Sequence, residues 1–377
     1  MKKLIKKIKY DCIYYTGYKP CGFSKKCFNC KQYVPQGMRI LIIKLSAIGD
    51  VLRTTPILPA LKRKYDPCFI TWITDSNAIP VLKLNSLIDR LLPFDFPSTL
   101  GLQSEKFDLL INFEKEDAAL ALSKLVSADK KMGFAPSEYG TLSIYNKESE
   151  YALLLGISDE LKFRKNKKTY IEIIFEMVGL DYSGEEYILP LSEQSYNFYQ
   201  KFRKKHNLDK FKYCVGINTG CGDIFATKAW TEDGFVGLIN DLSKNPGLKC
   251  ILLGGPLEQK LNQKIKRRVS KKIIDAGCNN SLEDFIGIVN CCDVIVTSDS
   301  LAMHISVGLK KKTIVFFGAT CHQEIDLFSR GEKIISDFPC SPCYKQRCEK
   351  KPTCMESLNP EKVASAVKKV LKIDSER

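Results

Sequence analysis

Residues 39–56 read Arg-Ile-Leu-Ile-Ile-Lys-Leu-Ser-Ala-Ile-Gly-Asp-Val-Leu-Arg-Thr-Thr-Pro, and this stretch decides the class of fold. Its β-branched start has the length and composition of a buried strand, residues 46–50 form a turn, and the pattern over 51–64 is helical. A strand that passes through a short loop into a helix is the first part of a βαβ unit, the building block of parallel sheets.

The same strand signal recurs along the 377 residues, with helical patterns between most copies. Strands are predicted over 39–45, 69–74, 109–113, 213–218, 250–253, 273–275, 293–297 and 313–317. Two series of this kind, in a chain of two-domain length, predict an α/β protein with two doubly wound, Rossmann-like domains. Such domains bind ligands at the carboxyl ends of their strands, so we expect a cleft between the two sheets.

The predicted division of the chain has five parts. A basic, Cys-rich segment covers 1–37, a first domain covers 38–180, a polar linker covers 181–210 and a second domain covers 211–338. A Cys- and Pro-rich loop with a closing helix from about 360 to 373 completes the chain over 339–377.

Composition and charge narrow the classes of function. Hydrophobic residues make up 44% and charged residues 27%, which excludes wholesale disorder. The net charge is +15, and residues 1–39 supply +9 of it through nine Lys and one Arg against the single acid Asp11. A basic balance favours partners that carry phosphate, such as nucleic acid, anionic lipid or phosphorylated small molecules.

The start of the chain and the length of its apolar runs indicate where in the cell the protein is found. The Lys-rich start is followed by no apolar stretch of about seven residues, and no uncharged run approaches the ~18 residues that cross a bilayer. We therefore expect a cytoplasmic protein. The basic start could lie on an anionic membrane face through Leu4, Ile5 and Ile8, or it could be a solvated tail.

The first candidate site is the turn after the first strand. Asp50 stands there at the start of a helix, where a carboxylate can act as a general base or can simply stabilise the helix N-terminus. The second domain opens similarly, with Thr219 and Gly220 in a Gly-rich loop and Lys228 shortly after it. Exposed amides beside a Lys suit a diphosphate, although Gly and Thr are also common in turns for backbone reasons.

A third candidate follows the strand at 293–297. The helix that begins near Asp299, Ser300 and Leu301 could present its amides to an anion, with His304 one turn further on. Taken alone, His304 is better explained as a core residue than as a ligand-binding one. Only three His are present, so neither a three-His metal site nor a convincing Ser-His-Asp triad can be assembled. A nucleotide-dependent dehydrogenase is disfavoured because the first loop lacks Gly-x-Gly-x-x-Gly.

Taken together, these motifs resemble glycosyltransferase family nine, the ADP-heptose:lipopolysaccharide heptosyltransferases. The resemblance rests on the stretch 39–56, on Lys-Ala-Trp at 228–230, on Leu-Gly-Gly-Pro-Leu-Glu at 253–258, and on Ser-Asp-Ser-Leu-Ala-Met-His at 298–304 with Phe-Gly-Ala-Thr at 317–320. Their order and spacing agree from about residue 38 to the end. The resemblance implies a GT-B fold, inversion at the transferred sugar and no catalytic metal.

Matching the family's motifs residue by residue assigns roles to this chain. The catalytic aspartate corresponds to Asp50, and the Lys that contacts the donor's phosphates corresponds to Lys228. The acidic donor-binding residue corresponds to Glu258. The donor-binding helix start corresponds to Asp299, Ser300 and His304, with Leu301-Ala302 where the family usually has Gly-Pro. Because Leu lacks the freedom of Gly, this departure puts the pose of the donor, and even its base or sugar, in doubt.

Two clusters of cysteines need a separate interpretation. Each contains four thiols, the number of a tetrahedral all-thiolate Zn or Fe site, and each includes a Cys-x2-Cys pair. The clusters are Cys12, Cys21, Cys27 and Cys30, and Cys340, Cys343, Cys348 and Cys354. A protein heptosyltransferase branch of the family resembles this chain in carrying a four-cysteine iron site near its C-terminus. The alternatives are reduced thiols without metal, or two clusters that share ligands.

The sequence thus predicts an inverting glycosyltransferase that moves heptose from ADP-heptose to a lipopolysaccharide core or related glycolipid. It predicts no cofactor for catalysis, no nucleic-acid partner, and peripheral contact with the inner membrane face as an option. Two alternatives stay open: a protein O-heptosyltransferase, and a catalytically idle metal-knuckle scaffold that binds membrane or nucleic acid.

Overall fold

The computed structural model describes residues 2–19, 21–23, 26–28, 30–222 and 226–373. Two six-stranded sheets, each covered by helices, dominate it. All strands of the first sheet lie between residues 38 and 144, and all strands of the second lie between 213 and 335. The two doubly wound domains predicted from the sequence are confirmed.

The first sheet is centred on the strand that opens residues 39–56. Its strands are β1 (Met38–Ile43), β2 (Cys68–Thr74), β3 (Arg90–Pro93), β4 (Lys106–Asn112), β5 (Ser127–Pro136) and β6 (Leu142–Ile144). They lie in the order β3-β2-β1-β4-β5-β6, and β6 alone is antiparallel to its neighbour. Ile40 of β1 pairs with Ile70 of β2 on one side and with Leu109 of β4 on the other. Residues 40–43 are fully buried because helices cover both faces of a parallel sheet.

The second sheet repeats the same plan and is parallel throughout. Its strands are β7 (Tyr213–Asn218), β8 (Leu248–Leu253), β9 (Ile274–Asp275), β10 (Val294–Ser298), β11 (Lys312–Phe317) and β12 (Gly331–Ile335). Their order is β12-β11-β10-β7-β8-β9. In each sheet the first strand is therefore central, and the chain reverses its winding direction beside it. Ligands bind at such switch points in open α/β sheets.

Helices connect most of the strands. They are α1 (Lys2–Ile5), α2 (Ile48–Thr54), α3 (Ile57–Lys64), α4 (Ile79–Leu82), α5 (Phe96–Gln103), α6 (Asp117–Leu125), α7 (Glu150–Ile157), α8 (Tyr170–Met177), α9 (Glu193–His206), α10 (Glu232–Leu242), α11 (Gln259–Arg268), α12 (Leu282–Asn290), α13 (Leu301–Gly308) and α14 (Pro360–Leu371). Within the described part of the chain, none is both long and apolar enough to cross a membrane.

Every strand predicted from the sequence is present, and no end is shifted by more than three residues. The helix predicted over 51–64 is two helices, α2 and α3, because Pro56 at the break has no N–H to donate to the preceding turn. The strands β3, β5, β6 and β12 were missed. They lie towards the sheet edges, where exposed polar residues such as Lys130 dilute the apolar run.

The segment predicted as a linker, 181–210, contains the 14-residue helix α9. Ser195 Oγ of α9 donates a hydrogen bond to the carbonyl oxygen of Glu283 in α12, at 2.7 Å. A Cβ added to Gly287 of α12 would lie only 2.6 Å from the Ser195 carbonyl oxygen. These contacts pack α9 closely against α12 of the second domain. The polar composition of 181–210 therefore reflects the exposed face of a helix.

Candidate functional site

A buried ion pair shapes the loop between β1 and α2. Lys44 Nζ lies 2.6 Å from Glu114 Oε1, and both side chains are buried. The same carboxylate oxygen accepts hydrogen bonds from the amides of Leu45, at 2.8 Å, and Ser46, at 2.9 Å. Glu114 follows β4, the neighbour of β1, so it holds the loop in place from the adjacent strand end. The position of α2 is therefore fixed before any ligand binds.

Asp50 lies in the first turn of α2, and 37% of its side-chain surface is accessible. Its Oδ1 is 2.9 Å from Arg53 Nε. Burial by itself would raise the pKa of the Asp50 carboxyl, but the charges of Arg53 and Lys44 outweigh burial and lower it. The carboxylate is consequently ionised at neutral pH and reachable from the cleft, as a proton acceptor must be.

Arg53 extends this ion pair into a small network. Its guanidinium carbon lies 3.8 Å from the centre of the Tyr170 ring, and its Nη1 is 3.9 Å from Glu324 Oε2 in the second domain. The Tyr170 hydroxyl is 2.9 Å from Thr54 Oγ1 of α2. Arg53 therefore holds Asp50 in a defined position and links the two domains. Arg53 belongs to the 39–56 stretch, but the sequence alone assigns it no role because its partners Tyr170 and Glu324 lie about 120 and 270 residues further along the chain.

His304 of α13 meets the first domain at the same point. A Cβ added to Gly49 would lie 2.4 Å from His304 Cδ2, so the backbone of α2 packs directly on the imidazole ring. The Tyr187 hydroxyl is 3.4 Å from His304 Nδ1. Burial and the charge of Arg53 lower the pKa of His304 to about 4, so the ring is neutral at pH 7. This geometry makes His304 an interface residue beside Asp50.

The loops that follow β7 and β10 are tied together by Asn218. Its Nδ2 donates to the carbonyl oxygen of Gly220 at 2.7 Å, to Thr297 Oγ1 at 3.0 Å and to Ser300 Oγ at 3.3 Å. Ser300 Oγ also lies 2.8 Å from Thr297 Oγ1, and it makes these contacts instead of capping the amides at the start of α13. The predicted Gly220 and Ser300 loops are thus neighbours.

Residues 219–220 and Glu258 also come together, at the ends of β7 and β8. Glu258 Oε2 accepts a hydrogen bond from the Gly255 amide at 2.9 Å, and it would lie 3.0 Å from a Cβ on Gly220. The Thr219 hydroxyl is buried and donates to Asn262 Oδ1 at 2.6 Å. Any ligand contact by Thr219 would therefore fall to its backbone. Leu301 likewise packs its side chain on the core.

Lys228 ends a short turn, Ala226–Lys228, just before Trp230. Trp230 is buried, and its Nε1 donates to the Leu358 carbonyl oxygen at 3.3 Å, which anchors the turn to the C-terminal region. The charges of Lys228 and Arg53 both act to lower the pKa of His304, while Asp299 opposes them. The predicted residues Asp50, Lys228, Asp299 and His304 thus share one electrostatic environment where the two domains face each other.

The C-terminal Cys-rich loop contacts both domains. Arg164 Nη1 and Nη2 donate to the carbonyl oxygens of Ser341, at 3.0 Å, and Pro339, at 2.8 Å, while the Phe163 and Tyr344 rings stack with centroids 5.4 Å apart. On the other side, Thr227 Oγ1 donates to the Lys345 carbonyl oxygen at 2.6 Å. The loop is therefore attached to the turn that carries Lys228.

Each cysteine cluster lines a single cavity. Cys340, Cys343, Cys348 and Cys354 line one of about 450 Å³, and Cys12, Cys21, Cys27 and Cys30 line one of about 370 Å³. All eight are free thiols. Among the residues that the structure describes, no three His, Cys, Asp or Glu side chains stand close enough to share a metal ion as placed.

Comparison with known proteins gives a consistent result. The sequence profile of glycosyltransferase family 9 (heptosyltransferase) matches residues 100–354. Lipooligosaccharide heptosyltransferase 2 of Campylobacter jejuni is 25% identical over 356 residues, which cover 88% of this chain and 99% of that protein.

Two solved structures show the fold. A family 9 glycosyltransferase of Veillonella parvula superposes with a TM-score of 0.74 at 18% identity, over 89% of this chain and 98% of that one. The second is the dodecameric iron-containing heptosyltransferase TibC of enterotoxigenic E. coli, solved in complex with ADP-D-beta-D-heptose. It superposes with a TM-score of 0.56 at 10% identity, over 89% of this chain and 77% of that one.

Proposed function

The chain belongs to glycosyltransferase family 9, and from that premise we propose that it transfers heptose from ADP-heptose to a hydroxyl of a lipopolysaccharide core or related glycolipid. Members of this family are glycosyltransferases of the heptosyltransferase type, so the chain is an enzyme and the alternative of an idle scaffold is set aside. Its fold is the GT-B fold that the sequence implied. The donor is supported by the ADP-heptose bound to TibC, and the acceptor by the named activity of the Campylobacter relative.

One observation carries the chemistry: an ionised, solvent-accessible Asp50 stands where the two domains meet, with Arg53 holding its carboxylate. In the proposed step, Asp50 takes the proton of the acceptor hydroxyl as that oxygen attacks the anomeric carbon. The bond from that carbon to the diphosphate breaks on the opposite face, so the sugar is inverted. Because its lowered pKa makes Asp50 a weak base, proton transfer accompanies bond cleavage rather than preceding it.

The leaving ADP gains negative charge in this step. Lys228 supplies a cation, and the first amides of α13 supply oriented dipoles, because Ser300 Oγ is engaged with Thr297 and Asn218. A cation and fixed amides can take the part that a metal ion plays in other transferases, so we propose a chemical step without metal. The Glu258 carboxylate, beside Gly220, offers an acceptor to hydroxyl groups of the donor.

Calorimetric titration with ADP, ADP-heptose, UDP-sugars and GDP-sugars tests the donor. We expect preferential binding of ADP-heptose that weakens strongly in Lys228→Ala, with Lys130→Ala, a change on β5 of the first domain, as the control. Preference for another nucleotide sugar would discard heptose but keep the fold and the role of Asp50. Binding of none of them would defeat the proposal.

A second candidate acceptor, a protein hydroxyl, is favoured by the C-terminal cysteines. The four thiols line one cavity, and the family branch with a four-cysteine iron site modifies protein. We propose that Cys340, Cys343, Cys348 and Cys354 hold a structural Zn or Fe there, since four thiolates suit either metal. Incubation of ADP-heptose with core glycolipid and with candidate proteins separates the acceptors, because transfer to protein alone would select the second candidate.

We propose further that the enzyme works at the cytoplasmic face of the inner membrane. Leu4 and Ile5 in the Lys-rich start are about half exposed, which suits insertion among anionic headgroups. Cosedimentation with vesicles that contain anionic lipid, compared with neutral vesicles, tests this location. Equal pelleting with both would contradict it.

A further inference from the structure

We propose that Cys12, Cys21, Cys27 and Cys30 form a tetrathiolate site for a divalent transition metal, Zn or Fe, separate from the C-terminal cluster. The site does not depend on the proposed function. Its metal would fold the N-terminal segment, residues 2–36, rather than take part in sugar transfer. Three features of the segment support this site: its lack of an apolar core, the backbone contacts that join its two ends, and the residues that line its cavity.

The N-terminal segment has almost no apolar core. Of its described residues, Cys12 alone is buried, while Tyr18 and Phe23 are well exposed. The only regular helix described there is the four-residue α1. So short a piece cannot bury enough surface to order itself, and proteins of this size usually rely on metals or disulfides. The buried residue is itself one of the four cysteines, which points to the thiols as the ordering element.

The backbone nevertheless follows a closed path. Cys12 forms an isolated antiparallel bridge with Pro35. The Ile13 amide donates to the Val34 carbonyl oxygen at 3.0 Å, and the Gln36 amide donates to the Asp11 carbonyl oxygen at 2.8 Å. The start and end of the segment are thereby held side by side, and Cys12 is brought back to the cavity that contains the later cysteines.

The environment of the cavity suits thiolates. The Gln32 amide donates to Cys30 Sγ at 3.3 Å, a contact from residue i+2 that stabilises negative charge on a sulfur. Lys9, Lys19 and Lys26 line the cavity together with the four thiols, and none of its described lining residues is acidic. Cys27 and Cys30 have the Cys-x2-Cys spacing with which two ligands chelate one ion.

Charge balance follows from this lining. Four thiols lose four protons on binding M²⁺, so the centre carries a net charge of −2 and the released protons go to solvent. The three lysines offset that charge. All four cysteines line the cavity, but as placed no three of them stand close enough to share one ion, so metal binding must draw the sulfurs together. Glycines at 17 and 22, both with positive φ, supply turns on which the chain can adjust.

Metal analysis of the purified full-length chain tests the site. We expect two metal ions per chain in the wild type and one in Cys27→Ser/Cys30→Ser. Cys221→Ser, a half-buried thiol outside both clusters, is the matched control and should retain two. Cys343→Ser/Cys348→Ser should also retain one, so the two sites are counted separately. An unchanged metal content in Cys27→Ser/Cys30→Ser would overturn the proposal.

Two further measurements guard against misfolded variants. Reconstitution with Co²⁺ should give the visible bands of a tetrahedral thiolate centre, reduced by half in Cys27→Ser/Cys30→Ser. Alkylation with mass spectrometry should find these four cysteines protected in the metal-loaded protein and reactive after chelation. Immediate alkylation of all four, or two disulfides among them, would refute the site even if the variants fail to fold.

Discussion

The backbone at Gly49 lies against the imidazole of His304, so closely that a single added Cβ would stand 2.4 Å from His304 Cδ2. Gly49 precedes Asp50 in α2 of the first domain, and His304 lies in the first turns of α13 of the second. The contact therefore sets the distance between the proposed base, Asp50, and the helix proposed to bind the donor. A glycine is required there for space.

Gly49→Ala tests this contact. The new methyl group must push α13 away from α2, at about 1–3 kcal/mol of overpacking, and a shift of about 1 Å can cost roughly 10²-fold in rate. We expect kcat to fall by about that factor, measured as heptose transfer. Gly101→Ala is the control, because a Cβ at this position in α5 meets nothing and Ala favours a helix by about 0.5–1 kcal/mol.

The double variant Gly49→Ala/His304→Ala shows whether the effect of Gly49→Ala comes from the clash of its methyl group with the His304 ring or from reduced backbone freedom at residue 49. Removing the ring opens the space that the methyl group needs, so the double variant should be no slower than His304→Ala alone. If the rate losses of Gly49→Ala and His304→Ala simply add in the double variant, the contact does not control the spacing of the two domains.

Asp50→Asn removes the proposed base and keeps its shape. Turnover should fall by about 10²–10⁴-fold, the usual share of general base catalysis, while donor binding stays as in the wild type. Asp95→Asn is the matched control: Asp95 caps α5 through the Ser98 amide, and Asn caps a helix equally well. Unchanged turnover in Asp50→Asn would remove this residue from the mechanism.

The neutral His304 predicts a pH dependence of stability. Its pKa is lowered from 6.5 to about 4 in the folded chain, so the unfolded chain binds more protons between these values. The free energy of unfolding should therefore fall as pH drops from about 6.5 to 4, by on the order of 3 kcal/mol from this residue, with no contribution above pH 7.

Denaturant titrations between pH 4 and 6.5 measure the direction in which the free energy of unfolding changes and show whether His304 causes the change. His304→Gln should reduce the dependence of the free energy of unfolding on pH between pH 4 and 6.5. His206→Gln should reduce it less, because His206 is more exposed, although its pKa is lowered too. Equal slopes in the wild type and His304→Gln would argue against a buried neutral ring.

The hydrogen bond from Thr227 to the Cys-rich loop predicts an effect of Thr227→Val on donor binding. This change removes the hydrogen bond to Lys345 and frees the turn that carries Lys228. A lost hydrogen bond of about 1 kcal/mol corresponds to roughly fivefold weaker ADP binding in calorimetry. Thr99→Val, on α5 in the first domain, should leave ADP affinity unchanged; equal weakening in both variants would deny the coupling.

The sequence was most informative where local signals suffice. The buried run at 40–43 predicts β1, and the Pro at 56 accounts for the separation of α2 from α3 once the structure is seen. Thr is a residue type typical of helix starts, and the Thr231 side chain accepts a hydrogen bond from the Gly234 amide at the start of α10. The strands β3 and β5 were missed because β3 has only four residues, none of them fully buried, and the first half of β5 carries exposed polar residues that hide its buried second half.

The sequence by itself determined the central strands of both sheets, the family, and the residue types at the candidate site, since each is written in short segments. Only the tertiary structure decided which residues support Asp50. Glu114 fixes its loop from 70 residues away, Tyr170 covers Arg53, and His304 abuts Gly49 from the other domain. Such contacts join residues far apart along the chain. Those of Glu114 and Tyr170 arise when the first domain folds, and that of His304 arises only when the two domains pack against each other.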